Sequence, residues 1–472
     1  MIQKNNTKYW AKKVATLALI LIFNFVVTAQ TTNEFTVQQT VDYGLKNAAQ
    51  VKNALLDIKI QKQTNREITA LAMPQINGSV GTTHYFDIPV TTLPNFISPS
   101  TYQVLVDNGV KDRNGNAITF PQNGFGNIEA KFGVPWTASG GVDVSQILFD
   151  GQVFIGLQAR EAAMQLATAN TAITTDQIKA NIQKIYFQLV VGQKQVTSLE
   201  ANISLLQKLL NDTKELFKNG FVEKLDVDKT TVQLNNLKTE KDKINNQISN
   251  GFAGLKFLIN MPQKETLILK DTLSEAFIKE NILDESYDYN SRKEVQALTY
   301  ANKLNQYNIK RYQLSRIPTI VAFASYSKNA QRTNFDFFNK GDWFTTSLAG
   351  IKMSIPIFDG FARRAKIENA KLNLEKTKNI LAQTKELVDY DVTIARSKMK
   401  SAILTMDNQK QNIQLAEKVY NTTKKKYEQG LGSNLEIFNA QTELKVAQNN
   451  YYSSLYDAIT AKIDYLKTAG KL

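Results

Sequence analysis

Apolar residues recur at alternating steps of three and four along two proline-free stretches, residues 151–220 and 360–430. Such a heptad repeat is typical of long helices that pack as coiled coils. Each stretch ends at a glycine, Gly220 or Gly430, after which the repeat resumes, so the sequence predicts two helical hairpins. In the first hairpin the apolar positions are Ile178, Ile182, Ile185, Leu189, Val196, Leu199, Ile203, Leu206 and Leu210, with Gly192 in the skipped place, and then Val227, Leu234, Leu237, Ile244, Ile248, Leu255 and Leu258.

The returning segment of the second hairpin has two apolar sides instead of one. A helix of this kind needs a neighbour on each side, so the pattern favours a closed ring of helices. A free two-helix coiled coil with exposed apolar residues is the alternative. The two sides are Ile437, Ala440, Leu444, Ala447 and Tyr451, and Tyr452, Leu455, Ile459, Ile463 and Leu466.

Shorter segments alternate between apolar and polar or small residues, most clearly at residues 136–145 and 348–355, which predicts β-strands. Each half also has an extended segment behind a helix that runs into a proline, with the helices predicted at residues 37–71 and 291–316. This gives two strands per half and four per chain, too few to close a barrel alone. The alternation suits a sheet between lipid and water, or an ordinary half-buried sheet in a soluble protein.

The chain repeats itself. Met-Pro-Gln-Ile at residues 73–76 returns as Ile-Pro-Thr-Ile at 317–320, an offset of 244. Leu-Phe-Asp-Gly at 148–151 returns as Ile-Phe-Asp-Gly at 357–360, an offset of 209. Two matches in the same order predict a tandem duplication.

The two offsets differ by about 35 residues, which places an insertion before the Phe-Asp-Gly turn of the first half. Segment 87–131 is rich in proline and glycine and is predicted to be a long loop. The predicted organisation is a first structural repeat at residues 30–262, a connector at 263–290 and a second structural repeat at 291–472.

Residues 1–29 have the pattern of a secretory signal peptide, with lysines, an apolar run at 14–27 and small residues before Gln30. A retained membrane anchor is the alternative, although the run is shorter than the ~20 residues that a spanning helix needs. No later stretch is long and apolar enough to predict a membrane-spanning helix.

The formal charge of +14 is spread along segments that mix basic and acidic residues, as at 238–243, the pattern of a solvated helix surface. Nucleic-acid binding is therefore not predicted. The chain has no cysteine and a single histidine, His84, which excludes thiol chemistry and any site that needs two histidines. No phosphate-binding glycine loop is present, and Asp284 and Glu285 are interpreted as solvated connector residues. We predict no enzymatic activity, no cofactor and no metal site.

These features together resemble the TolC-like outer-membrane efflux protein family. The resemblance implies a homotrimer, in which each chain gives four strands to one twelve-stranded outer-membrane β-barrel, continued into the periplasm by a coiled-coil barrel of helices. It also places the connector in an equatorial belt, and implies a periplasmic adaptor and an inner-membrane pump as partners. The matching features are the proline-opened strands at residues 74–76 and 318–320, the turn at 354–360, the glycine turns followed by 225–227 and 435–437, and the duplication.

The resemblance assigns roles to residues at the two glycine turns. Asp226 and Tyr427 are expected to help hold the periplasmic entrance shut, although Gly432 stands where the family commonly has an arginine. The alternative for Asp226 is a solvated acid that stabilises a helix N-terminus. The turns themselves are expected to dock the adaptor, or else to be simple tight turns. The turn residues are Asn219, Gly220 and Phe221 in the first hairpin and Gln429, Gly430 and Leu431 in the second.

The leading hypothesis is a passive outer-membrane exit duct of a tripartite efflux pump or a type I secretion system, for drugs, toxic compounds or proteins. The pattern specifies a passage and does not specify its cargo. A soluble periplasmic coiled-coil adaptor that binds partners and conducts nothing is the alternative. A secreted hydrolase with a helical stalk is a third hypothesis, and it lacks a catalytic constellation.

Overall fold

A computed structural model describes residues 32–272, 275–279, 287–339 and 341–472. The predicted signal peptide and the pair Asp284 and Glu285 lie outside the described residues. No helix in the described part of the chain has an apolar window long enough to cross a membrane.

The elements follow one another in the order that the sequence pattern predicts, with several short additions. As far as the connector they are β1 (Thr32–Phe35), α1 (Val37–Asn47), α2 (Ala49–Ala70), β2 (Gln75–His84), β3 (Val90–Pro94), α3 (Ile97–Asp107), β4 (Asn127–Lys131), β5 (Trp136–Phe149), α4 (Gly151–Lys218), α5 (Lys224–Leu258), β6 (Thr266–Leu269) and α6 (Glu275–Lys279). A 3-10 turn at Tyr289–Ser291 then leads to α7 (Lys293–Leu314), β7 (Thr319–Arg332), β8 (Phe344–Ser354), α8 (Ala362–Glu428) and α9 (Asn434–Thr468).

The chain forms two compact units, and both halves of the sequence contribute to each unit. The first, here called the helical unit, comprises the described residues of 32–62, Glu161–Leu304 and Leu374–Leu472. The second, here called the sheet unit, comprises Gln63–Arg160 and the described residues of Asn305–Asn373. The repeat boundaries predicted from the sequence remain a prediction.

The sheet unit contains a four-stranded antiparallel sheet in the order β2-β5-β7-β8. These are the four strands that the alternating segments predict, two from each half. The register is continuous except for an irregularity between Ile147 and Phe149, where β5 approaches its end. The fold is thus mainly helical with a small sheet, as predicted.

The helical unit is held together by the predicted heptad positions. Ile182, Leu206 and Leu255 are almost completely buried. Where the repeat skips a position, Gly192 on α4 faces Ile248 on α5. The reciprocal contact is made by Gly251 on α5, which faces the buried side chain of Leu189 on α4. These paired contacts fit the antiparallel helices closely together.

Both predicted apolar sides of α9 are buried within the chain. Ile437 and Leu444 pack with α4 and α5 in one core cluster, and Ile459 and Ile463 pack in a second. Both predicted sets of apolar residues on α9 are therefore used in packing, and the closed ring of helices remains a prediction.

The helix predicted at residues 37–71 is interrupted at Ala48, so that prediction was wrong in its continuity. Ala48 is buried and has an extended backbone with ψ near 129°. Just before it, Gly44 on α1 lies so close to Ile182 that no side chain fits between them. The interruption therefore lies next to a close contact of α1 with α4, a long-range contact that the local pattern does not encode.

The segment 87–131 is not a structureless loop, as was predicted, because it contains β3, α3 and β4. β3 and β4 form a two-stranded antiparallel sheet. Tyr102 and Phe120 each pack against the ring of Phe125, with ring centroids 5.0 and 5.9 Å apart. The prolines and glycines therefore lie at the turns of a small ordered segment, whose aromatic side chains pack on one another.

A second pairing that the sequence pattern missed joins β1 to β6 in parallel. The buried Tyr186 supports the strand pair, since its hydroxyl donates to the Phe35 carbonyl at 2.9 Å and accepts from the Asp271 amide at 3.2 Å. Burial raises the pKa of Tyr186 to about 12. Strands of four residues are too short for alternation to reveal them.

We predict that Gly251→Val lowers the free energy of unfolding of the protein by about 1–3 kcal/mol, because overpacking a closed contact strains it. A Cβ at this position would lie 2.7 Å from Leu189 Cδ2. Gly254→Val, on the same helix, is the matched control, because a Cβ at that position would meet nothing within 4 Å. Thermal unfolding followed by circular dichroism measures both variants, and equal melting temperatures would contradict the contact.

Candidate functional site at the sheet faces and hairpin turns

The register of the sheet divides its residues between two faces of opposite character. Val142 on β5 lies between Gly78 on β2 and Tyr326 on β7, and every second residue along each strand shares that face. We call this the apolar face: Ile76, Val80, Ala138, Val142, Val144, Ile320, Ala322, Ala324, Tyr326, Ala349, Ile351 and Met353.

The opposite face is here called the polar face. A few apolar side chains interrupt it, among them Phe323, whose ring lies over Gly350. Its polar members are Gln75, Asn77, Ser79, Thr83, Thr137, Ser139, Asp143, Ser145, Ser325, Ser327, Asn329 and Lys352.

Much of the apolar face is open in the single chain. Val80 is 92% exposed, Ile351 70% and Tyr326 52%. A half-buried sheet of a soluble protein covers its apolar face with other elements, whereas within the described residues these positions lack such a cover, although Ala330 on the same face is buried. The sheet therefore presents a contiguous apolar surface to its surroundings.

The sheet also has two unpaired edges. β2 and β8 are its outer strands, with 10 and 11 residues, and neither pairs on its outer side with another described strand. Long uncovered edges offer rows of unsatisfied N–H and C=O groups to another chain. The strand directions alternate across the sheet, so β8 of one copy can pair antiparallel with β2 of the next.

The two glycine turns have the same backbone geometry. Gly220 and Gly430 have φ of 79° and 71°, the left-handed conformation that glycine adopts readily. The Phe221 amide donates to the Leu216 carbonyl at 3.0 Å, and the Leu431 amide donates to the Lys426 carbonyl at 2.9 Å. Both hairpins thus end their first helix with the same glycine cap, as the repeat in the sequence predicts.

A groove of about 730 Å³ brings the two turns together within the helical unit. The first turn contributes Asn219 and Phe221, and the second contributes Tyr427, Gly430 and Gly432. The apolar side chains at equivalent positions, Phe221 and Leu431, are both 77% exposed. The turns therefore present a groove with both polar and apolar lining, and Phe221 and Leu431 are apolar side chains at the turns that the chain itself does not cover.

Tyr427 lines this groove, whereas Asp226 does not. The Tyr427 hydroxyl is buried and has no hydrogen-bond partner in the described residues. Asp226 is half-buried in the first turn of α5, and its carbonyl accepts the hydroxyl of Thr230 at 2.7 Å. No hydrogen bond joins Asp226 to Tyr427 in the described chain, so their shared gate role stays a prediction.

Two further residues near the second turn were not singled out by the sequence analysis. Both side-chain atoms of Asn434 and Oε1 of Gln441 are buried without a partner in the described residues. Gln448, one heptad further along α9, accepts a hydrogen bond from Asn202 at 2.6 Å. Asn434, Gln441 and Gln448 lie seven residues apart on an otherwise apolar side of α9. This heptad spacing of amides was the signal that could have identified them in the sequence.

The single histidine is part of an aromatic group at the end of the sheet. His84 lies against Trp136 and Phe86, with ring centroids 4.2 and 4.7 Å apart. No group of three or more His, Asp or Glu side chains gathers for a metal ion within the portion of the chain that is described.

Comparison with known proteins accounts for these features. Residues 289–470 match the family model described as outer membrane efflux protein. The chain also aligns with curated outer-membrane proteins over most of its length. The chain is similar to the TolC-like family of outer-membrane efflux proteins, and residues 289–470 match that family's model directly.

The TolC-like chain is 18% identical over 337 residues to outer membrane protein TolC of Vibrio cholerae, covering 71% of this chain and 77% of the relative. It is 19% identical over 334 residues to the alkaline protease secretion protein AprF of Pseudomonas aeruginosa, covering 68% of this chain and 67% of the relative. These relatives are named for the outer membrane and for protease secretion.

Solved channel structures share the fold of this TolC-like chain. CusC matches with a TM-score of 0.71 at 14% identity, covering 92% of each chain. The outer membrane protein VceC of Vibrio cholerae matches with a TM-score of 0.67 at 13% identity, covering 92% of this chain and 96% of that one. The Campylobacter jejuni outer membrane channel CmeC matches with a TM-score of 0.69 at 17% identity, covering 92% and 85%.

In this TolC-like chain the connector is clamped to α8 and α9. Glu275 accepts hydrogen bonds from Lys410 on α8 at 2.8 Å and from the Tyr451 hydroxyl on α9 at 3.0 Å. A few residues along, Lys279 pairs with Asp407 at 2.7 Å. The hydrogen bond from Lys410 lowers the pKa of Glu275, while burial raises the pKa of Tyr451 to about 12.

We predict that acid weakens this clamp. A carboxylate whose pKa is lowered by folding stabilises the protein above its unfolded-state pKa, and that contribution is lost as the pH falls through the lower folded-state value. Below pH 4.5, the ordinary pKa of Glu275, the melting temperature of the wild type should fall more steeply than that of Glu275→Gln. Glu417→Gln, at an exposed position of α8, is the control. Parallel curves for all three proteins would contradict the clamp.

Proposed function

We propose that this chain is the outer-membrane channel subunit of a tripartite efflux pump or a one-step secretion system, a passive exit duct. The observation that carries the proposal is the four-stranded sheet with one apolar face, one polar face and two unpaired edges. Such a sheet is stable when lipid covers the apolar face, water wets the polar face, and copies of the chain pair its edges.

Three copies supply the pairing in this proposal. Each sheet runs up-down-up-down, so β8 of one chain meets β2 of the next in the antiparallel sense, and closure needs no further strand. Three sheets of four strands make one closed sheet of twelve, whose polar face lines the passage. The open edges of the sheet support the closure, and the resemblance supports the number three.

The helical unit supports the same assembly. α9 is buried on both sides within the chain, whereas α8 carries a stripe of exposed apolar residues that the chain leaves uncovered. An exposed stripe on a long helix needs a neighbouring helix, which the next copy supplies. The stripe consists of Leu387, Tyr390, Leu404, Leu415 and Val419.

The hairpin turns form the periplasmic entrance in this proposal. Tyr427, whose hydroxyl is buried without a partner in the described residues, and Asp226 are the proposed members of the polar contacts that hold the tip shut. The apolar side chains of Phe221 and Leu431 dock a periplasmic adaptor, which links the duct to an inner-membrane pump. The chain itself supplies passage and catalyses no reaction.

We predict that Val80→Arg prevents assembly in the outer membrane, at a cost of about 2–4 kcal/mol near the middle of the lipid layer. Ser79→Arg is the matched control, because the neighbouring residue lies on the polar face of the same strand and is also exposed. The measurement is recovery of each variant in the detergent-extracted outer-membrane fraction. Equal recovery of the two variants, or recovery of the wild type in the periplasm without detergent, would remove the duct and favour a soluble adaptor.

We predict that Tyr427→Phe and Asp226→Asn each raise the single-channel conductance of the assembled protein in planar bilayers, because each removes a polar contact from the closed tip. Asp228→Asn, exposed on the same helix as Asp226, should leave conductance unchanged. If the Asp226 and Tyr427 variants conduct like the wild type, both residues return to a solvated or structural role.

A further inference from the structure

The apolar face changes character at one end of the sheet. We call this the loop end, where His84, Trp136, Arg332 and Phe344 terminate their strands. Along β7 the residues on the apolar face are Ile320, Ala322, Ala324, Tyr326, Lys328, Ala330 and Arg332. The face therefore passes from aliphatic side chains through a tyrosine to two cations, both near the loop end.

These two cations lie on the face where charge is least expected. The polar face of β7 has only uncharged polar residues at the same level, namely Ser327, Asn329 and Gln331. The helix end of the apolar face, with Ile76, Val144 and Met353, carries no charge. A cation on a lipid-facing position is strongly unfavourable in the middle of the membrane and nearly neutral at the interface. Lys328 and Arg332 thus belong at a headgroup layer.

Neither cation has an acidic partner within salt-bridge distance in the described chain. Lys328 is exposed and stands opposite Gly140 and Thr345, neither of which is charged. Arg332 donates to the carbonyl of Asp342 at 2.9 Å and to that of Gln331 at 3.2 Å, which holds its guanidinium in place. Both cations are therefore available to an anion from outside the chain.

Aromatic rings gather at the loop end, next to Arg332. Trp136, directly opposite Arg332 in the register, packs against His84 and Phe335, with centroids 4.2 and 5.0 Å apart. Phe338 nearby is 92% exposed. Aromatic residues of this kind concentrate where acyl chains give way to headgroups.

We propose that Lys328 and Arg332, with this aromatic group, bind the phosphate groups of anionic lipid headgroups in the leaflet at the loop end. The inference rests on the proposed function, since it requires the apolar face to lie in lipid. Charge complementarity selects the occupant, because an apolar face that ends in unpaired cations matches acyl chains that end in phosphate. The site thereby distinguishes the two leaflets, since the helix end lacks such cations.

The test uses the full assembled protein in nanodiscs of neutral phosphatidylcholine, with and without a fraction of phosphatidylglycerol. Anionic lipid should raise the melting temperature of the wild type. Native mass spectrometry should show that Lys328→Gln binds phosphatidylglycerol about five-fold more weakly, the effect of one cation at a charged membrane surface. Lys328→Arg should restore binding. The matched control is Lys352→Gln, at an exposed position on the polar face, which should bind like the wild type.

Arg332 also holds the loop, so Lys328 variants carry the test. Equal lipid binding by Lys328→Gln and the wild type would overturn the inference. A rise in melting temperature produced equally by inorganic phosphate in neutral nanodiscs would overturn it too, because the site would then be one for a soluble anion. Failure of the wild type to assemble in nanodiscs would overturn the proposed function as well, whereas assembly without any response to anionic lipid would overturn only this inference.

Discussion

The whole architecture depends on a sheet that cannot complete itself. Its central strands, β5 and β7, are paired on both sides, while β2 and β8 leave their outer edges open and much of the apolar face is exposed in the described chain. Backbone groups and apolar side chains must both be satisfied, and one chain satisfies neither. In the proposed function, lipid covers the apolar face and further copies pair with the edges, so membrane insertion and assembly would both follow from the same incomplete sheet.

The two helices of the second hairpin differ in where their apolar residues lie. The apolar residues of α9 are buried within the chain, as Ile437 and Ile459 on its two sides show. Leu404 and Leu415 on α8 stay exposed, and we propose that a neighbouring copy covers this surface. The close contacts between α4 and α5 at Gly192 and Gly251 hold the first hairpin together, and α8 and α9 pack against it. The clamp of the connector at Glu275 then ties α8 to α9.

Periodic features were predictable from the sequence, and long-range ones were not. The heptads placed Ile182 and Leu206 in the core, and the alternation around Val142 identified the strands of the sheet, because both signals repeat over many residues. The break at Ala48 was missed, since it follows from contact with a helix more than a hundred residues away. At the turns, Gly220 and Gly430 were evident from their spacing, whereas the groove and the unpartnered Tyr427 hydroxyl depend on how the two hairpins meet.

The most direct test of this account is the mass of the mature chain purified from outer membranes, measured by size-exclusion chromatography with light scattering. The account predicts a particle of three chains that needs detergent to stay in solution. A monodisperse single chain in buffer without detergent would show that the sheet closes by itself, and would contradict the account at its foundation.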